Sequence, residues 1–395
     1  MNHTEIADGP VPMSLLPDSA RVGPRGELQI GGLSVDELAA EYGTPLFIYD
    51  EQHLRSRCRE AREALGEGTA YASKAFLCAA MARLVNEEGL HIDVASEGEL
   101  FTAIAAGVPG ERIVFHGNNK SLSELSAART HAVGRVVVDS FDELSRLRHL
   151  HEIDGLVAQI QLRVTPGVEA HTHEYISTGQ NDSKFGFGLE SGAAEEAVRN
   201  CASNPGVELM GIHQHIGSQV FRVDSFARAL EVVAAFSEPL GLPELSVGGG
   251  LGVAYLESES APSITEWGEM LSEACNQLGI NARVSAEPGR SIAAMLALGF
   301  RARAAIRPQI TKAVKAALVP PIERMRMIGL VLLPGTMTGM LLAGVDPLKA
   351  VMTQMVVSFL ILGGVTLTVT TVVFGCSLSA IDHGKLVGVQ SNKVN

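Results

Sequence analysis

A repeated alternation of short apolar runs with amphipathic stretches restricts the fold of this chain more than any other feature. Eight candidate strands follow one another, at residues 70–72, 92–96, 113–117, 136–140, 159–164, 209–216, 245–249 and 284–287. Amphipathic stretches such as 76–88 and 96–106 lie between them. Eight such units over roughly 230 residues predict an α/β fold of the TIM-type (β/α)8 class, and the rhythm alone leaves a doubly wound sheet as the competing fold.

Polar or glycine residues stand at the end of nearly every candidate strand. They are Lys74, Asp93 and Ser96, His116 and Asn118, Asp139 and Ser140, Arg163, His215 and Ser218, Gly248–Gly250, and Glu287–Arg290. In a barrel, the carboxyl ends of the strands converge on one rim, where the active site forms. This distribution favours the barrel over the open sheet and predicts a site spread around that rim.

Lys74 directly follows the apolar run 69–72, in the sequence YASKAF of residues 71–76. Burial among apolar groups lowers the pKa of an amine, and the neutral amine is the form that attacks a carbonyl to give a Schiff base. The alternative interpretation is a solvated surface charge, which is the commoner role of a lysine just past a strand.

Two further rim segments have the chemistry of a site for a phosphorylated cofactor. The loop GGGLG at 248–252 can bring backbone N–H groups close to an anion, although such a run can also be only a tight turn. The sequence EPGR at 287–290 adds a glycine for close approach and a fixed positive charge. A carboxylate such as Glu287 can keep a pyridine nitrogen protonated, and its structural alternative is an ion pair with a neighbouring arginine.

Composition excludes several functional classes. The net charge of -13 argues against a nucleic-acid-binding surface. Five scattered cysteines, with no CxxC and no metal-ligand spacing, indicate reduced thiols in a cytoplasmic protein and predict no metal site. The first residues carry Glu5 and Asp8 without an apolar core, so no signal peptide is expected.

The character of the chain changes after residue 294. The remaining residues contain ten Lys/Arg against three Asp/Glu, whereas the preceding part contains 21 against 41. No charged residue occurs in 327–345 or in 350–381. The second run is long enough to cross a bilayer, which requires about 20 apolar residues. A basic flank at 301–326 is typical of the cytoplasmic side of a span. The alternative is a pair of buried core helices.

Eight motifs in order give residues 30–294 a specific resemblance to a known family. They are YASKA (71–75), IDVAS (92–96), HGNNKS (116–121), RVTPG through HTH (163–173), SKFGF (183–187), HQHIGSQ (213–219), GGG (248–250) and EPGRS (287–291). This part resembles diaminopimelate decarboxylase, a fold-type III pyridoxal-phosphate enzyme with an alanine-racemase-like barrel. The HGNNKS and SKFGF segments favour this decarboxylase over its ornithine, arginine and carboxynorspermidine relatives.

The resemblance implies pyridoxal 5'-phosphate as cofactor and a role for each rim residue. Lys74 would carry the cofactor, His215 would stack on its ring, and Glu287 would face the ring nitrogen. These three are the expected catalytic residues. Asp93 and Arg163 would support the cofactor from the side, and Arg290 would also bind the substrate carboxylate. The cofactor-binding set is completed by Ser218, Gly248, Gly249, Gly250, Pro288, Gly289 and Arg290.

Three histidines stay outside this set of roles. His213 is expected to be a satisfied core residue, and His171 and His173 are expected in a loop near the entrance. The implied activity is the decarboxylation of meso-2,6-diaminopimelate to L-lysine and CO2. The alternatives are a related amino-acid decarboxylase or racemase, or a membrane-associated permease fragment that carries an inactive barrel.

The resemblance stops near Ala294, and the C-terminal β-domain of the family is expected to be missing. The later residues resemble part of a membrane permease associated with iron export. The expected organisation is an N-terminal segment (1–50), a barrel (51–294), and a basic linker with a membrane-helix-like region (295–395). We expect reduced turnover, a weakened version of the family homodimer, a cytoplasmic barrel, and membrane association through 327–381. The expected partner is a small amino-acid substrate.

Overall fold

The computed structural model describes residues 13–44, 46–167, 185–255, 259–293, 335–379, 381–382 and 385–386. The strands are β1 Arg21–Val22, β2 Leu28–Ile30, β3 Leu33–Ser34, β4 Ala70–Ala72, β5 His91–Val94, β6 Ile113–Phe115, β7 Arg135–Val138, β8 Ala158–Thr165, β9 Phe187–Gly188, β10 Val207–Gln214, β11 Glu244–Ser246, β12 Arg283–Ser285, β13 Ile381–Asp382 and β14 Lys385–Leu386. The helices are α1 Val35–Tyr42, α2 Glu51–Leu65, α3 Ala79–Glu87, α4 Glu97–Ala105, α5 Leu122–Thr130, α6 Phe141–Asp154, α7 Ala193–Ala202, α8 Asp224–Ser237, α9 Ile264–Leu278, α10 Arg290–Ala293, α11 Gly335–Leu342 and α12 Pro347–Ser379. Short 3₁₀ turns occur at Met13–Leu15, Ser73–Ala75, Gly110–Arg112 and Glu238–Leu240.

A repeated Ser-x-x-Glu sequence fixes where four of the helices begin. The serine hydroxyl in each case accepts a hydrogen bond from the backbone N–H of the glutamate three residues later; the serines are Ser96, Ser121, Ser140 and Ser263. At Ser121 and Ser263 the glutamate side chain also returns to the serine backbone N–H, which completes a capping box. Each cap satisfies donors that a helix leaves open, so the turn between strand and helix is set locally.

Eight parallel strands form a ring surrounded by helices. The order is β4-β5-β6-β7-β8-β10-β11-β12, with the two residues of β9 paired to the end of β8. Two backbone hydrogen bonds, from Ala70 N–H to the Ala286 carbonyl and from Ala72 N–H to the Pro288 carbonyl, join the first strand to the segment after the last. This closure confirms the TIM-type barrel and rules out the doubly wound open sheet.

The lower end of the barrel, where the strands begin, is closed by an ion-paired network around Glu244. Its carboxylate accepts hydrogen bonds from the guanidinium groups of Arg135 and Arg283, and from Gln161 Nε2 at 3.1 Å. The carboxylate is buried, with 7% of the side chain exposed. Two arginines hold the pKa of Glu244 below its ordinary value, although burial by itself opposes that shift.

The chain divides into two compact units. One comprises Met1–Leu38 and Tyr49–Leu296, and the other comprises Ala39–Ile48 and Ala297–Asn395. The second unit contains α11 and α12, together with the short paired strands β13 and β14. Among the residues with a described placement, no helix combines the length and the apolar character needed to cross a membrane.

Candidate functional site

The upper rim, where the strands end, begins with Lys74 and Asp93. Lys74 lies in the 3₁₀ turn that follows β4, and 65% of its side chain is exposed. Its Nζ is 3.8 Å from Oδ2 of Asp93, which lies on β5 with only 3% of the side chain exposed. Within the described part of the chain, this Oδ2 has no hydrogen-bond partner. Lys74 therefore reaches solvent while a buried carboxylate faces its amine.

Glu287 is buried at the rim and lies between Ala286 and Pro288, whose carbonyls close the ring. Its Oε1 is 3.2 Å from His116 Nε2 and accepts a hydrogen bond of 3.2 Å from Ser246 Oγ. Its Oε2 is 3.1 Å from His213 Nε2. One ligand atom from each histidine and from the glutamate lies within 4.8 Å of the others, a spacing that a metal ion could also use. A proton on each Nε2 satisfies both contacts with protein atoms alone, which makes this cluster a hydrogen-bonded triad.

The two histidines of the triad have opposite pKa shifts. Burial lowers the pKa of His116, but the carboxylates of Asp93 and Glu287 outweigh burial and raise it above the ordinary value. Burial lowers the pKa of His213, and the upward effect of the Glu287 carboxylate is too small to cancel that shift. Burial also opposes ionisation of Glu287, yet the two imidazoles hold its pKa well below the ordinary range. Near neutral pH, the triad therefore holds an ionised glutamate and a neutral His213.

His215 is half-buried and lies one strand repeat beyond His213, just after β10. The backbone N–H of Gly249 donates to His215 Nδ1 at 3.3 Å, so this nitrogen carries a lone pair. Burial first, then the positive charges of Lys74 and Arg163, hold the pKa of His215 well below its ordinary value. The imidazole is thus a neutral, flat group at the rim.

The glycine run 248–250 is required by the packing of the barrel itself. A Cβ on Gly249 would lie 2.1 Å from the carbonyl oxygen of Glu287, and one on Gly250 would lie 2.0 Å from that of Gly217. Gly248 and Gly250 also have φ values of +67° and +110°. The backbone therefore passes too close to its neighbours for any side chain, and three rim segments meet here.

Ser218 and Arg290 lie together where these segments meet. Arg290 Nη1 donates to Ser218 Oγ at 2.7 Å across the rim. Gln219, the next residue after Ser218, has φ of +59°, and its side-chain amide exchanges two hydrogen bonds with the backbone of Val253. These bonds hold a left-handed conformation that is uncommon for a residue other than glycine. These bonds hold the loop that carries Ser218, and Ser218 in turn accepts the hydrogen bond from Arg290 at the start of α10.

Arg163 lies on β8 and faces the rim from the side. Its guanidinium carbon is 4.7 Å from the ring centroid of Phe185, and its Nη1 is 3.8 Å from Asp139 Oδ2. The backbone N–H of Asp139 in turn donates to Glu143 at 2.6 Å, and Glu143 forms a fully buried pair with Lys120 at 2.7 Å. A stacked ring and a carboxylate therefore fix the direction of the arginine.

The structure brings the predicted site residues to one rim, including Pro288 and Gly289 beside β4. His171 and His173 lie outside the described residues. Two features of the site were not predicted from the sequence: Ser246, and the contact of His213 with Glu287. A serine at the end of an apolar strand and a histidine spaced two residues before His215 were the available signals, because alternate strand residues point to the same face.

A family model described as "Pyridoxal-dependent decarboxylase, pyridoxal binding domain" matches residues 51–294. A second model, of the uncharacterised family UPF0014, matches residues 274–380. This second match fits the expected resemblance of the tail to a membrane permease.

Among curated proteins, the chain is similar to the diaminopimelate decarboxylase of Mycobacterium tuberculosis, with 45% identity over 285 residues, which cover 68% of this chain and 64% of that protein. The Bacillus subtilis enzyme of the same name is 43% identical over 290 residues, which cover 69% and 66%. The chain thus spans just under two thirds of the length of these curated relatives.

The chain is also similar to solved structures of proteins with the same name. A diaminopimelate decarboxylase from M. jannaschii has a TM-score of 0.66 and 30% identity, covering 70% of this chain and 67% of that one. The Helicobacter pylori enzyme, complexed with L-lysine, has a TM-score of 0.60 and 30% identity, covering 65% and 66%.

Proposed function

The chain belongs to the pyridoxal-dependent decarboxylases, and we propose that it binds pyridoxal 5'-phosphate at the upper rim of the barrel through Lys74. The single observation that carries the proposal is the placement of an exposed lysine amine 3.8 Å from the buried Asp93 carboxylate on the same rim as Glu287. A lysine amine in this setting is the group to which such a cofactor is attached.

The donor groups on the rim fit the cofactor. Oδ2 of Asp93 is buried and has no hydrogen-bond partner among the described residues, so it can accept a hydrogen bond from a polar group placed there. Arg290 and Ser218 offer a charged and a neutral donor for phosphate, beside the closely packed backbone of Gly250. Glu287 offers an ionised carboxylate for a ring nitrogen.

Bound pyridoxal phosphate supplies a ring that accepts the electrons released when a carboxylate leaves as CO2. The residues of this chain would hold and orient the reacting groups. Glu287 would keep the ring nitrogen protonated, and the neutral imidazole of His215 would cover one ring face. Arg163, fixed by Phe185 and Asp139, would support the cofactor from the side.

We propose meso-2,6-diaminopimelate as substrate, with L-lysine and CO2 as products and Arg290 as a contact for the substrate carboxylate. The support is the 45% identity to a diaminopimelate decarboxylase and the similarity to a structure complexed with L-lysine. A related decarboxylase or racemase is the competing function. Release of CO2 from meso-diaminopimelate, measured against racemisation of alanine, separates them.

The decisive experiment for cofactor attachment is absorbance of the full chain reconstituted with pyridoxal phosphate. We expect a band at roughly 410–430 nm that is lost in Lys74→Ala, which has no amine. The band should also be lost in Lys74→Arg, because arginine keeps the charge but cannot form the linkage. Lys349→Ala, which removes an exposed lysine of α12, is the matched control and should keep the band. An unchanged band in Lys74→Ala would overturn the assignment.

We also propose the division into a 1–50 segment, a 51–294 barrel and a 295–395 region, pairing of two barrels as a homodimer, and membrane association through 327–381. The uncharged runs and their basic flank support the last of these. Recovery of the chain in the pellet after carbonate washing is expected, and recovery in the supernatant would contradict membrane association. Reduced turnover stays a prediction, to be measured against the mycobacterial relative.

A further inference from the structure

The Glu287 carboxylate is held by three hydrogen-bond contacts that divide unequally between its two oxygens. Oε1 is contacted by His116 Nε2 and Ser246 Oγ, whereas Oε2 is contacted by His213 Nε2 alone. An ionised carboxylate has about four acceptor positions, two on each oxygen. Among the described residues, one position on Oε2 therefore remains open, and the other three fix the plane of the carboxylate.

His116 differs from the other two contacts because it lies between two carboxylates. Its Nε2 is 3.2 Å from Glu287 Oε1 and 3.8 Å from Asp93 Oδ1, and the ring is buried. The T-shaped contact of its ring with that of His213, at 4.9 Å between centroids, holds the orientation of both rings. A proton on His116 is therefore attracted by two buried negative charges at once.

Charged groups from several strand ends act on the two histidines of the triad. Asp93 on β5 and Glu287 after β12 favour a charged His116, while Lys74 after β4 opposes it. His213 on β10 is affected by Arg163 of β8 as well as by Glu287. Negative charge prevails next to His116, and positive charge adds to burial at His213.

We propose that His116 and His213 are positioning residues that hold Glu287 from both sides, with His116 as the charged member of the pair and Oε2 as the oxygen left to face the ligand. This inference rests on the proposed function in one respect: the group that Glu287 would contact is the ring nitrogen of pyridoxal phosphate. His116 keeps Glu287 ionised, and His213 donates a hydrogen bond without adding a second charge.

The arrangement can be tested without cofactor by NMR titration of histidine ring nitrogens in the full-length apoprotein. We expect His116 to stay protonated above the ordinary range of histidine and His213 to stay neutral below it. Replacing Glu287→Gln should remove the upward shift of the His116 pKa, because one of the two negative charges is lost. Asp93→Asn should independently lower the pKa of His116, because it removes the other of the two negative charges. An unchanged His116 titration in both variants would overturn the proposal.

A second measurement tests positioning through cofactor affinity and the pH dependence of the bound cofactor's absorbance. His116→Leu should weaken binding roughly tenfold or more, the scale of a lost hydrogen bond to a charged group. His116→Gln keeps a donor at the Nε2 position without the charge, so we expect partial rescue of affinity and a changed pH profile. His91→Gln, at the opposite end of β5, is the matched control and should leave both readouts unchanged.

The outcomes separate this inference from the proposed function. Binding by His116→Leu equal to that of the original chain, with the same pH profile, would overturn the positioning role. If the original chain itself binds no cofactor, the proposed function fails, and the apoprotein titrations still decide whether the triad is arranged as proposed.

Discussion

The barrel contains a buried glutamate at each end, and the two are held by different chemistry. Glu244, at the start of β11, is paired with two arginines and a glutamine. Glu287, just after β12, is paired with two histidines and a serine. Arginine stays charged at any pH a protein meets, whereas histidine changes charge within the physiological range. The lower end is thus an ion-paired network that keeps its charges across the physiological pH range, and the upper end is a set of groups that can exchange protons within that range.

The surroundings of the two glutamates also differ in how completely their polar atoms are satisfied. Both oxygens of Glu244 are paired, and Glu244 Oε1 is shared by the two arginines. At the rim, by contrast, Asp93 Oδ2, Asp139 Oδ2 and His213 Nδ1 have no hydrogen-bond partner among the described residues. Unsatisfied buried polar atoms cost stability, so these three rim atoms are positions at which a polar ligand could form the missing hydrogen bonds.

Removing the lower carboxylate should give the largest loss of stability. Glu244→Ala leaves Arg135 and Arg283 facing each other without their shared anion. We expect a loss of about 3 kcal/mol in unfolding free energy, at the low end for a broken buried pair, because 45% of the Arg283 side chain stays in solvent. Urea unfolding measures this loss. Cofactor affinity of the folded fraction should not change, and a selective loss of affinity would contradict the proposed division between the ends.

The rim glycines should show a smaller effect on stability but a direct effect on the site. In Gly249→Ala the new Cβ would lie 2.1 Å from the Glu287 carbonyl oxygen, so the backbone beneath the carboxylate must move. We expect a loss of about 2 kcal/mol, within the range for overpacking, together with weaker cofactor binding. Gly279→Ala is the control: its φ is +64° but nothing lies within 4 Å, so about 1 kcal/mol and unchanged binding are expected. Equal effects of both substitutions on binding would refute the argument.

The smallest expected effect concerns the pH dependence of stability at the rim. The folded-state pKa of His215 is depressed well below 6.5, so its contribution is present above the unfolded value and is lost as the pH falls below about 6.5. His213 acts in the same direction, and His116, with a raised pKa, acts in the opposite direction. His215→Asn should reduce the slope below pH 6.5 by up to about 1.4 kcal/mol per pH unit.

Urea unfolding of the apoprotein at pH 7 and pH 5.5 checks this expectation. The pKa of Glu244 is depressed below 4.5, so its contribution is present above that value and is lost only at more acid pH. Glu244→Gln should therefore leave the slope between these two pH values unchanged. An unchanged slope in His215→Asn would show that this imidazole accepts a proton in the folded state as readily as in the unfolded one.

The sequence predicted the barrel well because buried parallel strands have a strong local signal. The candidate strand 70–72 coincides with β4, and the strand predicted at 284–287 is displaced by only one or two residues from β12. The last two residues of the predicted strand, 286 and 287, lie beyond the end of β12. Here the chain closes the ring instead, because the carbonyls of Ala286 and Pro288 accept hydrogen bonds from β4. A local pattern shows where a strand lies but not which distant strand completes the ring.

The contents of the rim could be predicted, but the contacts within it could not. A polar residue after an apolar run places Lys74, Asp93 and Glu287 at strand ends. The contact between His213 and Glu287 joins residues 74 positions apart, and that between His116 and Glu287 joins residues 171 apart. Such pairings depend on the register and curvature of the ring. The pKa shifts of His116, His213 and Glu287 follow from those pairings, so a local sequence pattern could not predict them either.

The seam between β4 and the segment at 286–288 also has a consequence for synthesis of the chain. Ala72 and its partner Pro288 are separated by more than two hundred residues, so a ribosome needs roughly ten to forty seconds to make the second after the first. During this time one edge of β4 lacks its final neighbour and is open to pairing with other strands. The nascent chain therefore carries Lys74 beside an unpaired edge for most of its production, and a cell that delays translation within this interval lengthens the exposure.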